Sequence, residues 1–253
     1  MLNLITSFYL SKNIERQKEL DETLIHNINC LYISKIHLFL DNDKCSEYLN
    51  QLINDKSKIV IIRIGNQPLY SDLFQYANKL PNEICMISNS DIWLKEIKKY
   101  NLINNLQQNN NIVYALTRYE HDNSSPLIDN YEGSHDVFMF KSPINSNIIR
   151  RINHPQNVWG SENVLLYELQ NFQYRIFNPC RSIIIVHEHK SGERNADRIR
   201  INCGDRYIDG KYNVRSHKVP PCEPIWCRQV RVRRGRVSFL NVRIASNPYA
   251  AHR

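Results

Sequence analysis

The sequence predicts an α/β protein whose mainly parallel central sheet is flanked by helices and followed by a small basic C-terminal extension. Two observations carry this. Short apolar, β-branched runs alternate along the first half of the chain with segments whose apolar residues recur at helical spacing, the pattern of strands joined by helical crossovers. The charge is also divided. Residues 194–253 hold 14 Lys and Arg against 4 Asp and Glu, a balance of +10, whereas residues 1–193 hold 19 against 21. The net charge of +8 therefore belongs to the tail and gives no reason to expect nucleic acid on the body.

In chain order, residues 3–10 are apolar and β-rich, a first strand with Thr6 and Phe8 near its end. Residues 14–31 set Ile14, Leu20, Leu24, Ile25 and Ile28 among charges at roughly helical spacing, an amphipathic helix. Residues 35–40, KIHLFL, form a second strand that ends in Asp41-Asn42-Asp43. A short helix over 48–53, a third strand over 58–64 and a helix over 69–80 then lead to ICMI at 84–87, a strand expected to be buried. A helix through Lys98 and Leu102 is expected next, then a polar loop over 104–111. A strand over 112–116 runs into Thr117-Arg118-Tyr119-Glu120, and Ser134-His135-Asp136 precedes another at 137–140. Trp159-Gly160-Ser161-Glu162-Asn163 opens a helix continuing over 164–169. Asn178-Pro179 precedes a strand over 183–186 that ends in His187-Glu188-His189-Lys190-Ser191.

The chain is organised around residues 83–94. Ser88-Asn89-Ser90-Asp91 follows the buried strand at its carboxyl end, where open α/β sheets bind ligands. A carboxylate there can ligate a divalent cation, and the cation can hold the diphosphate of a nucleotide donor. The other reading of the same residues is an Asx turn or a helix N-cap before Ile92. With only 7 glycines and neither GxGxxG nor GxxxxGK, phosphate binding has to rest on something other than a glycine-rich loop, and a metal is the obvious substitute.

At 253 residues and 42% hydrophobic content, one core of ordinary size is expected: a body over 1–195 and a basic extension of unassigned role over 196–253. The opening MLNLITSFYL has no basic n-region and no small-residue cleavage site. No apolar run is long enough to span a bilayer, so a soluble chain is expected. Seven scattered cysteines without a CxxC pair read as reduced thiols of a cytosol-like compartment; Cys222 and Cys227 lack evident partner ligands for a metal site. In the tail, Arg228, Arg231, Arg233, Arg234 and Arg236 could touch a polyanion or an anionic membrane, but a solvated basic strand pair is preferred.

The ordered set LITSFY (4–9), ERQKEL (15–20), IHLFLD (36–41), ISNSDI (87–92), ALTRYE (115–120), SHD (134–136), WGSEN (159–163), NPC (178–180) and HEHKSGER (187–194) resembles nucleotide-sugar-dependent glycosyltransferases of the GT-A fold. The likeness is to glycosyltransferase-like proteins of large DNA viruses and microbes in particular, and the Asn- and Ile-rich composition suits an A+T-rich viral genome, with the host cytoplasm as location. The resemblance implies a Rossmann-like central sheet, a nucleotide-sugar donor (a UDP-sugar first among them), Mn²⁺ or Mg²⁺, and a glycan or glycoprotein acceptor. It also implies site residues. The last Asp of a DxD motif binds the metal, and here the motif is Asn89-Ser90-Asp91, so the first carboxylate has become an amide that can still bond a ribose or sugar hydroxyl. A late-strand histidine completes the metal set in relatives, and His187 and His189, two apart on a strand, share one face.

WGSEN resembles the WGxED-type stretch in which an acid serves as base, which gives that role to Glu162, with Asp136 as the rival base or a donor-sugar contact. Arg118 and Glu120 are expected to shape the sugar pocket, and Lys190 and Arg194 to neutralise diphosphate. Thr6, Phe8 and Asp41, with Arg63 and Asn78, are expected at the nucleoside end, and Asn89 and Ser90 beside the donor. Two other readings stay open: an inactive GT-A-like scaffold, kept alive by Asn89, and a polyanion binder acting through the tail, which no nucleic-acid motif supports.

Overall fold

A computed structural model describes residues 2–121, 135–156, 158 and 160–193, and the backbone of 230–233 and 236–239. In chain order the elements are β1 (Leu2–Phe8), α1 (Ile14–Asn29), β2 (Ile33–Leu40), α2 (Asp43–Leu52), β3 (Ile59–Arg63), α3 (Tyr70–Ala77), β4 (Ile84–Ser88), β5 (Ile92–Ile97) and α4 (Asn101–Gln108). There follow β6 (Ile112–Leu116), β7 (Tyr119–Glu120), β8 (Val137–Lys141), α5 (Ser146–Ile149), α6 (Ser161–Asn171), β9 (Arg175–Phe177), β10 (Ile183–His187), β11 (Val230–Arg233) and β12 (Arg236–Phe239).

Seven strands make one sheet in the order β3-β2-β1-β4-β8-β6-β9. β3, β2, β1 and β4 run parallel, β9 is parallel to β6, and β8 alone is antiparallel to both its neighbours. This is the mainly parallel, helix-flanked α/β sheet that the alternation predicts. Side chains of successive strand residues point to opposite faces, so each strand feeds two cores. On β4, Ile84 and Met86 join Leu20 and Leu24 of α1, Leu49 of α2 and Leu106 of α4. Cys85 and Ile87 join Phe74 of α3, Ile148 of α5 and Leu165 of α6. Both faces of the sheet are therefore covered.

A second sheet, β5-β10-β7, corrects one expectation. Residues 92–97 were expected to be helical and form β5. The pairing of β5 with β10 shifts register between Ile184 and Ile185, which pair with Glu96 and Leu94, so Lys95 is an extra residue. The bulge turns Ile92, Leu94 and Ile97 all inward and gives the last two the spacing of three that mimics a helix. Residues 104–108 also depart from the loop expected over 104–111: Leu102, Ile103 and Leu106 give α4 a buried stripe despite its Asn and Gln. α2 begins earlier than expected because the side chain of Asn42 accepts the Cys45 N–H as its cap. β9 was not foreseen. β11 and β12 pair antiparallel, in keeping with the alternation over 228–244. The expected turn-rich link over 204–212, the break at Pro220, Pro221 and Pro224, and Cys203, Cys222 and Cys227 lie outside the described residues.

The edge of β5 is closed by a side chain. Asn27 of α1, 2% exposed, donates to the Ile92 carbonyl at 3.0 Å and accepts the Leu94 N–H at 3.1 Å, as a neighbouring strand would. Asn27→Ala is expected to leave both buried groups unpaired and to cost roughly 1–3 kcal/mol, read by urea unfolding; a change within error of zero would mean that water replaces the amide.

Candidate functional site

The carboxyl ends of β1, β2 and β4 open onto a pocket of about 360 Å³. Its walls include Phe8 and Tyr9 after β1, Phe39 and Asp41 at the end of β2, Gln67 and Pro68 between β3 and α3, and Gln156 before α6. Asn89, Ser90 and Asp91 form the turn between β4 and β5, with the Ile92 N–H bonded to the Asn89 carbonyl at 3.3 Å. The turn leads into a strand, so the helix-cap reading of these residues falls.

The small sheet delivers the histidine. Its register sets His187 beside both Ile92 and Glu120, and Asp91 is the residue before Ile92. His187 Nε2 lies 3.2 Å from Asp91 Oδ2 and its Nδ1 lies 2.8 Å from Glu120 Oε2. Burial alone would push the imidazole down, but these two carboxylates raise it to about 9. Burial would likewise raise Asp91; its bond with His187 and the charge of Arg16 instead hold it well below the usual carboxylate range. The bond with His187 is also the main cause that pulls Glu120 down to about 2, against its own burial. Glu120 is positioned in turn by Arg118, whose Nε donates to Oε1 at 2.9 Å. The preceding Thr117 is clamped by Asn178, which donates to its hydroxyl at 2.8 Å and accepts its N–H at 3.2 Å.

Asp91, His187 and His189 each offer a ligand atom, and these atoms lie within 4.8 Å of one another. One carboxylate and two imidazoles make a mixed oxygen and nitrogen set, the carboxylate suiting Mn²⁺ and the imidazoles suiting Zn²⁺ or Fe²⁺. Glu120, 2.8 Å behind His187, orients the ring as a carboxylate behind a ligating imidazole does; with a carboxylate at each nitrogen the ring keeps its proton, which a metal at Nε2 would have to displace. The donor set therefore fits a divalent ion in kind. One group missed by sequence reading competes with it. Arg16 of α1 donates through Nη2 to Asp91 Oδ2 at 2.7 Å and meets His189 Nδ1 through Nη1 at 2.8 Å. The signal was available: Arg16 shares the buried stripe of α1 with Leu20, Leu24 and Asn27.

Next to Asn89, the buried Asp136 accepts through Oδ1 from Arg118 Nη1 at 2.9 Å and from Asn89 Nδ2 at 3.2 Å. A continuous set of polar contacts thus runs from Asp91 through His187, Glu120, Arg118 and Asp136 back to Asn89. Glu162 stands in the first turn of α6, after Gly160, whose φ of 85° suits glycine. The residue is half-buried, and burial, then the charge of Asp136, push its carboxyl up to about 8.

The remaining expectations divide. Phe8, Asp41, Asn89, Ser90 and Asp91 share the pocket. Thr6 lies one step below it, buried, with Oγ1 donating to the Ser88 carbonyl at 3.0 Å. Lys190 is anchored through its N–H to Glu19 and through Nζ to Glu188 at 3.3 Å, with its side chain more than half exposed. Two residues expected at the nucleoside do not line this pocket. Asn78 caps the carboxyl end of α3 and both donates to and accepts from the Ile144 backbone at 2.7 Å, near the start of β4 and away from the pocket. Arg63, exposed, turns to Asp43 at 3.1 Å and Ser46 at 3.2 Å on α2. Arg194 and Trp159 lie outside the described residues.

No family model and no curated protein matches the chain. Among solved structures, it is similar to S. aureus TarS 1-349 in complex with UDP-GlcNAc, at 10% identity and a TM-score of 0.51 over 76% of this chain and 60% of that one. It is similar also to the mannosyltransferase PcManGT from Pyrobaculum calidifontis in complex with GDP-Man and Mn²⁺, at 12% identity and a TM-score of 0.49 over 76% and 58%. GalNAc-T7 with UDP, GalNAc and Mn²⁺ matches at 10% identity and 0.49 over 74% and 43%. At these identities the likeness is one of fold, and the fold is that of the GT-A glycosyltransferases. Among the described residues, no helix is long and apolar enough to cross a membrane.

Proposed function

We propose that the chain is a glycosyltransferase that moves a monosaccharide from a nucleotide sugar, a UDP-sugar first, to a hydroxyl of a glycan or glycoprotein, with inversion at the anomeric carbon. The observation that carries this reading is the convergence of His187 and His189 on Asp91 and Arg16, which line a pocket where the parallel strands end. A polar pocket at that end of an open sheet is where a nucleotide is held. UDP-GlcNAc, bound by TarS, is the first donor to try. Residues 1–195 are taken as the catalytic body, and residues 196–253 as an extension without an assigned part in the chemistry.

In this reading Phe8 and Asp41 receive the nucleoside. The buried Asn89 Oδ1, which lacks a hydrogen-bond partner among the described residues, accepts from a ribose or sugar hydroxyl. Asp91, His187 and His189 would hold Mn²⁺ or Mg²⁺. Such an ion stabilises negative charge on a departing diphosphate. Ser90 and Lys190 line the diphosphate's approach, and Arg194 is retained as a further cation. Glu162 takes the acceptor proton as the hydroxyl attacks C1. Asp136, fixed by Arg118 and Asn89, orients the donor sugar; an acid already bonded to a guanidinium is the weaker choice of base.

The test is thermal unfolding with UDP-GlcNAc, other UDP-sugars and GDP-mannose, with and without Mn²⁺. A ligand that binds only the folded state raises its stability by about 2.7 kcal/mol at a hundred times its dissociation constant. At least one sugar nucleotide is expected to shift the midpoint upward. No shift with any donor at millimolar concentration would count against the reading.

A further inference from the structure

The strongest cation at the pocket belongs to the fold itself. Arg16 is 8% exposed, and its guanidinium is committed on every side: Nε donates to the Tyr9 hydroxyl at 3.1 Å, Nη1 pairs with Glu19 at 3.0 Å, and Nη2 pairs with Asp91 at 2.7 Å. Asp91 Oδ2, which Arg16 engages, is the oxygen that His187 also approaches, and His189 presents Nδ1 to Arg16. A guanidinium can only donate, so His189 Nδ1 must accept, and the lone pair that a metal would need is in use. Its other nitrogen, Nε2, is buried without a hydrogen-bond partner among the described residues. Charge points the same way. Asn89 stands where a second carboxylate would be, so the turn offers one negative charge, and one resident positive charge already meets it. A divalent ion at Asp91 would also face, at close range, a group that has no neutral form.

We propose that Arg16 is the resident cation of this site: it holds the position beside Asp91 and His189, and a divalent ion binds there only by displacing it. This rests on the reading of Asp91, His187 and His189 as the metal end of a nucleotide-sugar site. Glu19 gives the displaced guanidinium a place to remain. The same carboxylate accepts the N–H groups of Lys190 and Ser191 at 2.5 Å each and the Ser191 hydroxyl at 3.0 Å. Arg16 and Glu19 thus tie α1 to the segment that carries His189. With no metal bound, a donor diphosphate would still meet a positive charge.

The probe is Mn²⁺ alone, titrated into the full chain and followed by the paramagnetic resonance signal of the free ion. Arg16→Met is expected to bind Mn²⁺ at least about tenfold more tightly than the parent, about 1.4 kcal/mol. Arg16→Lys, which keeps the charge, is expected to gain less. Adding Asp91→Asn to Arg16→Met is expected to erase the gain. If Arg16→Met does not fold, Arg16→Gln, which can still bond Asp91 and Glu19, replaces it with the same expectation. Equal or weaker Mn²⁺ binding by the uncharged variant, a gain that survives Asp91→Asn, or no Mn²⁺ binding by any protein overturns the proposal. Nucleotide-sugar binding in EDTA is scored separately. Its absence from every variant, with or without Mn²⁺, would remove the glycosyltransferase reading, whereas the ratio of Mn²⁺ affinities is decided on its own.

Discussion

Asp91→Asn is expected to abolish Mn²⁺-dependent donor binding and to lower transfer by roughly 10²- to 10³-fold or more, the scale on which removal of one preorganised electrostatic group acts. The reason lies in what Oδ2 does: it accepts from Arg16 at 2.7 Å and lies 3.2 Å from His187 Nε2, so a single oxygen meets both groups. An amide oxygen placed there still accepts but carries no charge, and an amide nitrogen placed there would turn a donor toward both groups. Asp91→Ala would remove both contacts outright. Removing one partner of a buried ion pair costs about 3–5 kcal/mol, so the alanine variant is expected to be markedly less stable and the asparagine variant is the better probe. Calorimetry with a UDP-sugar reads the first effect, and urea unfolding the second. Parent-like donor binding with Mn²⁺ in a folded Asp91→Asn protein would remove Asp91 from the site.

Glu162→Gln is expected to keep donor affinity while transfer falls by about 10²- to 10⁴-fold, the usual contribution of a positioned general base. Burial and Asp136 hold the Glu162 carboxyl up at about 8, so at neutral pH the free protein carries mostly the protonated acid. Transfer in the parent should therefore rise with pH and level off above about 8, and the limb should vanish in the variant. Stability moves the opposite way. Between the usual value of 4.5 and about 8 the folded state binds this proton and the unfolded state does not, so the parent loses stability as pH rises through that window. Glu162→Gln removes that loss, and its unfolding midpoint relative to the parent should climb from pH 5 to 8. Asp136→Asn is the control. If it stops turnover with donor binding intact, and Glu162→Gln does not, the two roles are exchanged. Full turnover in both variants would put the catalytic carboxylate elsewhere or mean a retaining reaction without a protein base, outcomes that the product anomer separates by NMR.

The parallel half of the sheet was legible because β1, β2 and β4 are mainly apolar, largely buried runs separated by helices and β3 is a β-branched run at the sheet edge, a pattern that period and composition reveal without tertiary information. β5 was not, because a bulge at Lys95 gives its buried residues a helical spacing, and because its partners β10 and Asn27 are remote in sequence. The site divides along the same line. Asp91 was visible from its place at a strand end, and His187 and His189 from their spacing on one face. Arg16 was hidden by its neighbours: a charged residue in an amphipathic helix reads as solvent-facing until the stripe formed by positions 16, 20, 24 and 27 is recognised as the buried one. Asn78 and Arg63 fall outside the pocket for a different reason. Side-chain type suits them to a nucleoside, but Asn78 caps a helix near the amino end of β4, and Arg63 sits where α2 offers a nearer partner.

The most direct measurement is release of nucleoside diphosphate from a panel of UDP- and GDP-sugars, with candidate glycan acceptors and with water alone, by the parent and by Asp91→Asn side by side. The expected result is that the parent consumes at least one sugar nucleotide, faster at pH 8 than at pH 6, and that Asp91→Asn does not. Consumption of no donor by a protein whose unfolding curve shows it folded, or equal consumption by Asp91→Asn, would contradict the assignment of this pocket as a glycosyl-transfer site.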